Sequence, residues 1–246
     1  MSRNTALRTG GVAWLLQMAM VVGALGDEGT GRVAIARWLF DGSASDEMGG
    51  HPITLYGGAT FAPACGSQGL FTGDPASYGT YPPIGEMTTG TISFQFELGA
   101  AFGADGTNPD PVIIINSNRV GHLVGDFSIR LEPTDGKLWF VQEDPFVSPA
   151  WSLKSARDSW QPGVCHRVEI QWNESGRVMQ IMSPGYFERR QDAFAHPAFA
   201  TDATLTTVLA DAPPAGITLD WLEVACACPP LATEPTGWGL VKASYR

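Results

Sequence analysis

Trp139 and Trp151 flank a short loop that contains the acidic residues Glu143 and Asp144 and two prolines. An indole ring presents a flat apolar face, and such a face suits the apolar face of a sugar ring. We therefore predict ligand contacts at these four residues. A further tryptophan, Trp172, follows the apolar phase of its own predicted strand, and we expect it in the core.

Acidic residues in two other loops are candidate metal ligands. Asp41 and Asp46 lie in the loop after the first predicted strand, and Asp105 and Asp110 lie in the loop at 101–111. Calcium is the metal that these residues favour, because it binds carboxylate and carbonyl oxygens of loops. Plain solvation of the four carboxylates is the alternative interpretation.

The sequence offers no recognisable catalytic motif. It contains no Gly-x-Ser-x-Gly nucleophile motif and no glycine-rich phosphate loop. The histidines are dispersed along the chain without the spacing of metal ligands, at His51, His122, His166 and His196. We therefore predict no catalytic residues and a protein that is not an enzyme.

Four cysteines predict two disulfide bonds, since an even number in an exported chain is typical of a disulfide framework. Cys226 and Cys228 are two residues apart and would point to the same face of a strand. A bond between them would be strained, so we expect each to pair with either Cys65 or Cys165. A zinc site is less favoured because Cys-x-Cys lacks the usual spacer.

The first 26 residues have the features of a secretory signal peptide. Arg3 and Arg8 precede an apolar run at 12–25, and the small residues Ala24 and Gly26 close it. The run is shorter than the roughly 20 residues of a membrane span, although an N-terminal anchor is the alternative. Cleavage after Gly26 removes two arginines and no acidic residue, so the net charge changes from −10 to −12. We expect a secreted protein, extracellular or at the cell surface, without a transmembrane segment.

The composition of the 246 residues narrows the fold class and the kind of partner. A net charge of −10 disfavours nucleic acid as a partner, because phosphate neutralisation needs a basic surface. With 29 glycines and 18 prolines a long helical fold is disfavoured, and 25 aromatic residues exclude disorder as the main state. The remaining class is a turn-rich, acidic, all-β protein.

Hydrophobic alternation predicts the strands of this β fold. At 91–98, Ile92, Phe94, Phe96 and Leu98 face one way and polar residues face the other. Hairpins are predicted around Asp135-Gly136 and around 173–176, and a helical turn is considered at 200–210. Further strands are predicted at 33–40, 112–115, 127–131, 138–141, 167–172, 178–182 and 217–224. The predicted domain covers 27–228, and 229–246 form a proline-containing linker and a C-terminal tail.

Several short motifs share an order and spacing with a known family. They include Phe40-Asp41 at the end of the first strand and Gly57-Gly58-Ala59 in the next. The full set lies at 36–42, 46–51, 53–61, 69–73, 160–168 and 216–224. This pattern resembles laminin-G-like domains of the concanavalin A-like lectin/glucanase group. The resemblance implies a jelly-roll sandwich of two antiparallel sheets with adjacent first and last strands, and a structural role for His166.

Enzymes of this group guide the functional hypotheses. Glucanases that resemble family 16 of the glycoside hydrolases carry Glu-x-Asp-x-x-Glu or Glu-x-Asp-x-Glu on one strand, and this chain has neither. The resemblance therefore implies a non-catalytic binding module for a glycan or an extracellular protein. Self-assembly into an extracellular layer or appendage is the alternative, and a divergent polysaccharide-degrading enzyme is less favoured.

Overall fold

The computed structural model describes residues 32–87, 89–103, 110–118, 126–143, 151–173, 176–192, 199–201, 205–210 and 215–226. Within these residues the regular elements are β-strands, and no helix there could cross a membrane. In chain order the strands are β1 (Val33–Trp38), β2 (Thr54–Tyr56), β3 (Thr60–Ala64), β4 (Ser67–Thr72), β5 (Tyr78–Tyr81), β6 (Gly85–Met87), β7 (Gly90–Leu98), β8 (Phe102–Gly103), β9 (Val112–Asn118), β10 (Asp126–Leu131), β11 (Leu138–Glu143), β12 (Trp151–Lys154), β13 (Ser159–Trp160), β14 (His166–Asn173), β15 (Gly176–Ser183), β16 (Tyr186–Asp192), β17 (Phe199–Thr201), β18 (Leu205–Ala210) and β19 (Ile217–Cys226).

Two large sheets form the body of the protein. The first has the order β16-β15-β14-β7-β19-β4-β3, with β1 also paired to β19, and the second has the order β12-β11-β10-β9-β18-β5-β2. Every described pairing in them is antiparallel. The predicted antiparallel jelly-roll sandwich is confirmed. The first and last strands lie side by side, with Trp38 opposite Leu222.

The core lies between the two sheets and follows the predicted alternation. Phe94 and Phe96 of β7 are fully buried, as is Phe140 of the second sheet. Across the interface the rings of Trp38 and Tyr81 lie 4.8 Å apart between their centroids. Burying one such side chain contributes about 1.5–3 kcal/mol, so the core fixes which face of each strand points inward.

Both predicted hairpins are present. β10 pairs with β11 across the Asp135-Gly136 turn, and β14 pairs with β15 from Asn173 opposite Gly176. The helical turn considered at 200–210 is wrong, because β17 and β18 occupy the described part of that segment. The threonines there favour extended backbone, since a β-branched side chain packs well in a strand.

The expected cysteine pairing is also wrong. Cys65, in the turn between β3 and β4, is bonded to Cys165, with 5.5 Å between their Cα atoms. Cys226 is disulfide-bonded as well, and Cys228 lies outside the described residues. Cys165 and Cys226 lie near opposite ends of β7. Cys165 precedes His166, which lies opposite Phe96, whereas Cys226 lies opposite Gly90. Six residues of strand span roughly 20 Å, which is too far for one disulfide.

Candidate functional site

The first sheet turns one face away from the core, and its side chains line up in rows across five strands. We call this surface the outer face. The register of β16, β15, β14, β7 and β19 defines three rows in that order of strands. The first row is Phe187, Met182, Arg167, Gln95 and Trp221. The second row is Arg189, Gln180, Glu169, Ser93 and Glu223. The third row is Gln191, Val178, Gln171, Thr91 and Ala225.

The outer face has a low centre between longer side chains. Ser93 and Thr91 on β7 are 5% and 4% exposed, although they point away from the core. Glu169 and Glu223 flank Ser93 on the neighbouring strands, and they rise above it. We call this strip of short side chains between longer polar ones the trough; its two hydroxyl residues are almost fully covered by their neighbours.

Trp221 lies at the end of the first row. The guanidinium of Arg167 lies over its ring, 5.3 Å from the ring centroid, and its Nε1 donates to the Gln95 amide oxygen at 3.4 Å. A cation over an indole face is attracted by the ring quadrupole. These two contacts hold the indole ring beside the trough.

Ion pairs hold the two carboxylates of the second row. Arg32 donates from Nη1 to Glu169 at 3.2 Å, and the Gln171 amide also donates to Glu169. Arg37 donates from Nε to Glu223 at 2.6 Å. Both walls of the trough therefore combine acceptor and donor groups in fixed positions.

The turn between β3 and β4 closes one end of the outer face. Its Cys65 is joined to Cys165, and the Cys65 backbone N–H donates to Glu97 at 3.1 Å. In the same turn region Ser67 donates its hydroxyl to Asp220. Burial, with added repulsion from Glu97, raises the pKa of Asp220, and the Ser67 hydrogen bond partly opposes this.

At the opposite end, beyond the third row, lies a cavity of about 510 Å³. Its lining includes Arg32, Thr91, Gln171, Arg177, Gln191 and Asp192. We call it the rim cavity, since it lies where β14, β15 and β16 meet the edge of the sheet. It continues the polar lining of the trough to the rim of the sandwich.

Arg177 is a fully buried charged side chain in the lining of the rim cavity. It is 1% exposed, and its guanidinium lies 5.3 Å from the centroid of the Phe140 ring. Its Nε and Nη2 donate to Asp192 at 3.1 and 2.5 Å. Its Nη1 has no hydrogen-bond partner within the described part of the chain. Leaving a buried donor unpaired costs about 1–3 kcal/mol.

The tryptophan-flanked loop predicted from the sequence belongs to the other sheet. Trp139 lies on β11, with the Lys154 ammonium 3.3 Å from its ring centroid and its Nε1 donating to Asp135 at 2.9 Å. One ring face is thus covered by Lys154. Glu143 lies on β11 and Trp151 lies on β12, but their side chains are not described. Asp144 lies outside the described residues.

Among the predicted calcium ligands, Asp46 is occupied by other partners. Its carboxylate accepts backbone N–H groups of Arg37, Met48, Gly50 and His51 at 2.9–3.1 Å, and the His51 ring lies 3.2 Å away. Burial opposes its ionisation, but these donors lower the pKa of Asp46 on balance. These hydrogen bonds connect Asp46 to the backbone of the first loop, and a metal-binding role for it stays a prediction.

The other predicted metal ligands are not brought together by any described contact. Asp41 and Asp110 are exposed, and Asp105 lies outside the described residues. One different group has ligand-like spacing, because the sulfurs of Cys65 and Cys165 and the Glu97 carboxylate lie within 4.8 Å of one another. Those sulfurs form a disulfide, whereas metals bind the thiolate form of cysteine.

His166 has the structural position that the resemblance implied. It is fully buried, its Nδ1 lies 2.7 Å from the Ser183 hydroxyl, and its ring packs edge-on against Trp160. Burial and the nearby positive charge of Arg157 lower the pKa of His166 to about 4. The imidazole is therefore neutral at physiological pH and belongs to the core.

The outer face is a site that the local sequence patterns did not predict. Hydrophobic alternation predicts that Gln95, Arg167 and Glu169 point away from the core, but it does not predict which of them lie side by side.

Residues 218–223 match the glucanase strand motif Glu-x-Asp-x-x-Glu at two of its three positions. Asp220 and Glu223 match the second and third positions, and Thr218 replaces the first glutamate. A threonine at that position removes one carboxylate from the pair that glycoside hydrolysis needs.

Comparisons with known proteins give similarity of structure only. A scan against protein-family models finds no match, and a search of the curated proteins finds none either. A sialidase from Trypanosoma rangeli aligns with a TM-score of 0.49 and 10% identity, over 80% of this chain. That alignment spans 30% of the sialidase. The potassium-bound carbohydrate recognition domain of Emp46p aligns with a TM-score of 0.44 and 14% identity, over 70% of this chain and 87% of that domain.

Proposed function

We propose that this protein is a secreted, non-catalytic binding module that holds a glycan chain across its outer face. The observation that carries the proposal is the alignment of polar side chains in rows beside Trp221. Hydroxyl, amide and carboxylate groups there match the donors and acceptors of sugar hydroxyls. The resemblance to laminin-G-like domains and secretion by a signal peptide belong to the same proposal.

The dimensions of the outer face favour an oligosaccharide over a single sugar. Five strands at about 4.8 Å spacing give a row roughly 19 Å long. The longer polar side chains of the neighbouring strands cover Thr91 and Ser93 and offer the polar contacts, while Trp221 offers an aromatic contact at the end of the first row. Binding sites of this kind combine an apolar surface with a few placed polar groups.

The chemistry of β19 supports binding over hydrolysis. Thr218 takes the place of a carboxylate in the glucanase spacing, and Glu223 is bound to Arg37. The raised pKa of Asp220 is the observation that favours the enzyme alternative, because a protonated carboxyl can act as a general acid. Release of reducing sugar from β-glucans or alginates by the purified protein would establish that alternative.

One observation favours the assembly alternative. Phe187 is 63% exposed on β16, which is the edge strand of its sheet. Exposed edges and apolar side chains promote association between chains. Light scattering on the purified protein tests this alternative, and ordered multimers that dissociate in Phe187→Lys would support it.

A glycan array probed with the full secreted chain tests the proposed function. The matched variants are Trp221→Ala, on the outer face, and Trp139→Ala, on the opposite sheet. We expect a bound glycan class whose signal is lost in Trp221→Ala and kept in Trp139→Ala. The reverse result would place the site at the tryptophan-flanked loop, and an absence of glycan binding would contradict the proposal.

A further inference from the structure

One carboxylate lies against both sulfurs of the disulfide between Cys65 and Cys165. The Glu97 Oε2 atom lies 4.0 Å from the Cys65 sulfur and 3.9 Å from the Cys165 sulfur. The same oxygen accepts the backbone N–H of Cys65 at 3.1 Å, so the turn that carries the disulfide also holds the carboxylate in place. His166 lies opposite Phe96 in the register of the first sheet, and the adjacent Cys165 and Glu97 therefore point to the same face.

The disulfide lies in an accessible part of the surface. Cys65 and Cys165 are half-buried, and Gly66 and Ser67 beside Cys65 are exposed. The rate of thiol–disulfide exchange depends both on access to the sulfurs and on the stability of the thiolates that take part. Burial alone therefore does not shield this bond from small thiols in solution, and the charge beside it becomes important.

Glu97 takes part in no ion pair within the described part of the chain. Arg167 lies two residues after Cys165 on the same face, but its guanidinium lies over the Trp221 ring. Burial, with added repulsion from Glu97, raises the pKa of Asp220, so this second carboxyl does not offset the charge of Glu97 either. The charged group in contact with the two sulfurs is therefore an anion.

The chemistry of reduction places further negative charge at the same position. A thiolate attacks one sulfur and forms a mixed disulfide, while the electron pair of the broken S–S bond leaves on the other sulfur as a second thiolate. A second external thiolate then cleaves the mixed disulfide. Two thiols are thus oxidised to one disulfide, and their protons end on the two reduced cysteines. Because Oε2 of Glu97 lies close to each sulfur, the attacking and leaving thiolates both meet this carboxylate, whichever cysteine is attacked first.

We infer that the Glu97 carboxylate protects the Cys65–Cys165 disulfide from reduction by thiols in solution. It repels the incoming thiolate and disfavours the thiolate that leaves. Charges in partly buried surroundings are screened less by salt than exposed charges are, so the protection persists at physiological ionic strength. The inference does not depend on what the outer face binds. Since the disulfide closes one end of that face, Glu97 keeps the candidate site intact where small thiols are present.

Reduction rates of the full chain test this inference, with cysteamine, 2-mercaptoethanol and thioglycolate as cationic, neutral and anionic thiols. Alkylation of the freed cysteines and mass spectrometry follow each disulfide separately, and each rate is expressed per thiolate. Glu97→Gln keeps an oxygen that can accept the Cys65 N–H but removes the charge. We expect this variant to be reduced about tenfold faster by 2-mercaptoethanol, with a larger factor for thioglycolate and a smaller one for cysteamine. With thioglycolate, the rate should rise more steeply with ionic strength in the unaltered protein than in Glu97→Gln.

Two controls separate the charge of Glu97 from other effects. Cys226 is disulfide-bonded near the other end of β7, so the reduction rate of its bond should be the same in Glu97→Gln and in the unaltered protein. Glu132→Gln makes the same change of net charge just after β10 of the second sheet, and it should alter neither rate.

The thiol series distinguishes repulsion from a loosened turn. Equal acceleration by all three thiols in Glu97→Gln would mean that Glu97 acts only by holding the turn, and it would overturn the inference. Unchanged rates would overturn it too, as would an equal acceleration at the Cys226 bond. Each of these results leaves the proposed function in place, because none of them measures glycan binding.

Discussion

Arg167 and Trp221 lie on strands that do not touch each other, yet the guanidinium of one lies 5.3 Å from the ring centroid of the other. β7 runs between them and contributes Gln95, which accepts the indole N–H of Trp221. The three side chains form one unit across three strands. We expect this unit to set the orientation of the aromatic contact at the outer face.

Arg167→Leu tests that unit. Loss of the cation removes an interaction of about 0.5–1 kcal/mol and frees the indole ring, so glycan affinity should fall about three- to fivefold. The free energy of unfolding should change by less than about 1 kcal/mol, because Arg167 is exposed. Calorimetric titration and urea unfolding measure the two quantities. Arg130→Leu on the other sheet is the control, and an equal loss of affinity there would contradict a specific role for Arg167.

Asp46→Asn tests the first loop. The neutral amide replaces a carboxylate that accepts several N–H groups, and each hydrogen bond to a charged group is worth about 1.5–3 kcal/mol. We expect the free energy of unfolding to fall by about 2–3 kcal/mol at neutral pH. The folded pKa of Asp46 is lowered, so its stabilisation is present above the unfolded value of 3.8 and is lost as pH falls through the folded value. Urea unfolding from pH 7 to pH 2 should therefore show a smaller acid loss in Asp46→Asn.

Thermal unfolding with and without calcium gives a second test of the loop that contains Asp46. Calcium binding at Asp41, Asp46, Asp105 and Asp110 stays a prediction, and thermal unfolding with calcium and then with chelator measures it. Because Asp46 binds N–H groups, we expect Asp46→Asn to lower Tm by the same amount in both conditions. A loss seen only with calcium would instead make Asp46 a metal ligand.

Local patterns predicted the strands but not the alignment that makes the candidate site. The alternation at 91–98 placed Phe94 and Phe96 in the core, as found. Strict alternation from Ile217 and Leu219 would put Trp221 in the core too, but the register of β19 against β7 shifts between Leu219 and Trp221. That irregularity turns Trp221 to the outer face, since one extra residue reverses the side-chain phase. Such a shift depends on pairing between distant segments, and so does the partner of Cys65.

The disulfide of Cys65 gives a further prediction. It closes a loop with a sequence separation of 100, for which the loss of unfolded-state entropy is worth about 4.7 kcal/mol. We expect Cys65→Ser with Cys165→Ser to lower the free energy of unfolding by about 3–5 kcal/mol. The variant should also lose affinity for the glycan, because the turn after β3 closes one end of the outer face. Unchanged affinity in folded variant protein would show that this turn is not part of the binding surface.

His166 gives the protein a defined response to mild acid. The pKa of His166 in the folded protein is about 4, below the ordinary value of 6.5. Between pH 6.5 and about 4 the imidazole is therefore protonated in the unfolded chain but not in the folded chain. Stability should therefore fall as pH drops from 6.5 to about 4. In His166→Gln the amide can still meet the Ser183 hydroxyl but does not titrate. We expect this variant to be less stable at neutral pH, owing to changed packing against Trp160, and to lose less stability across that interval. Urea unfolding at pH 7, 5.5 and 4.5 measures both slopes, and parallel slopes would mean that another group causes the acid response.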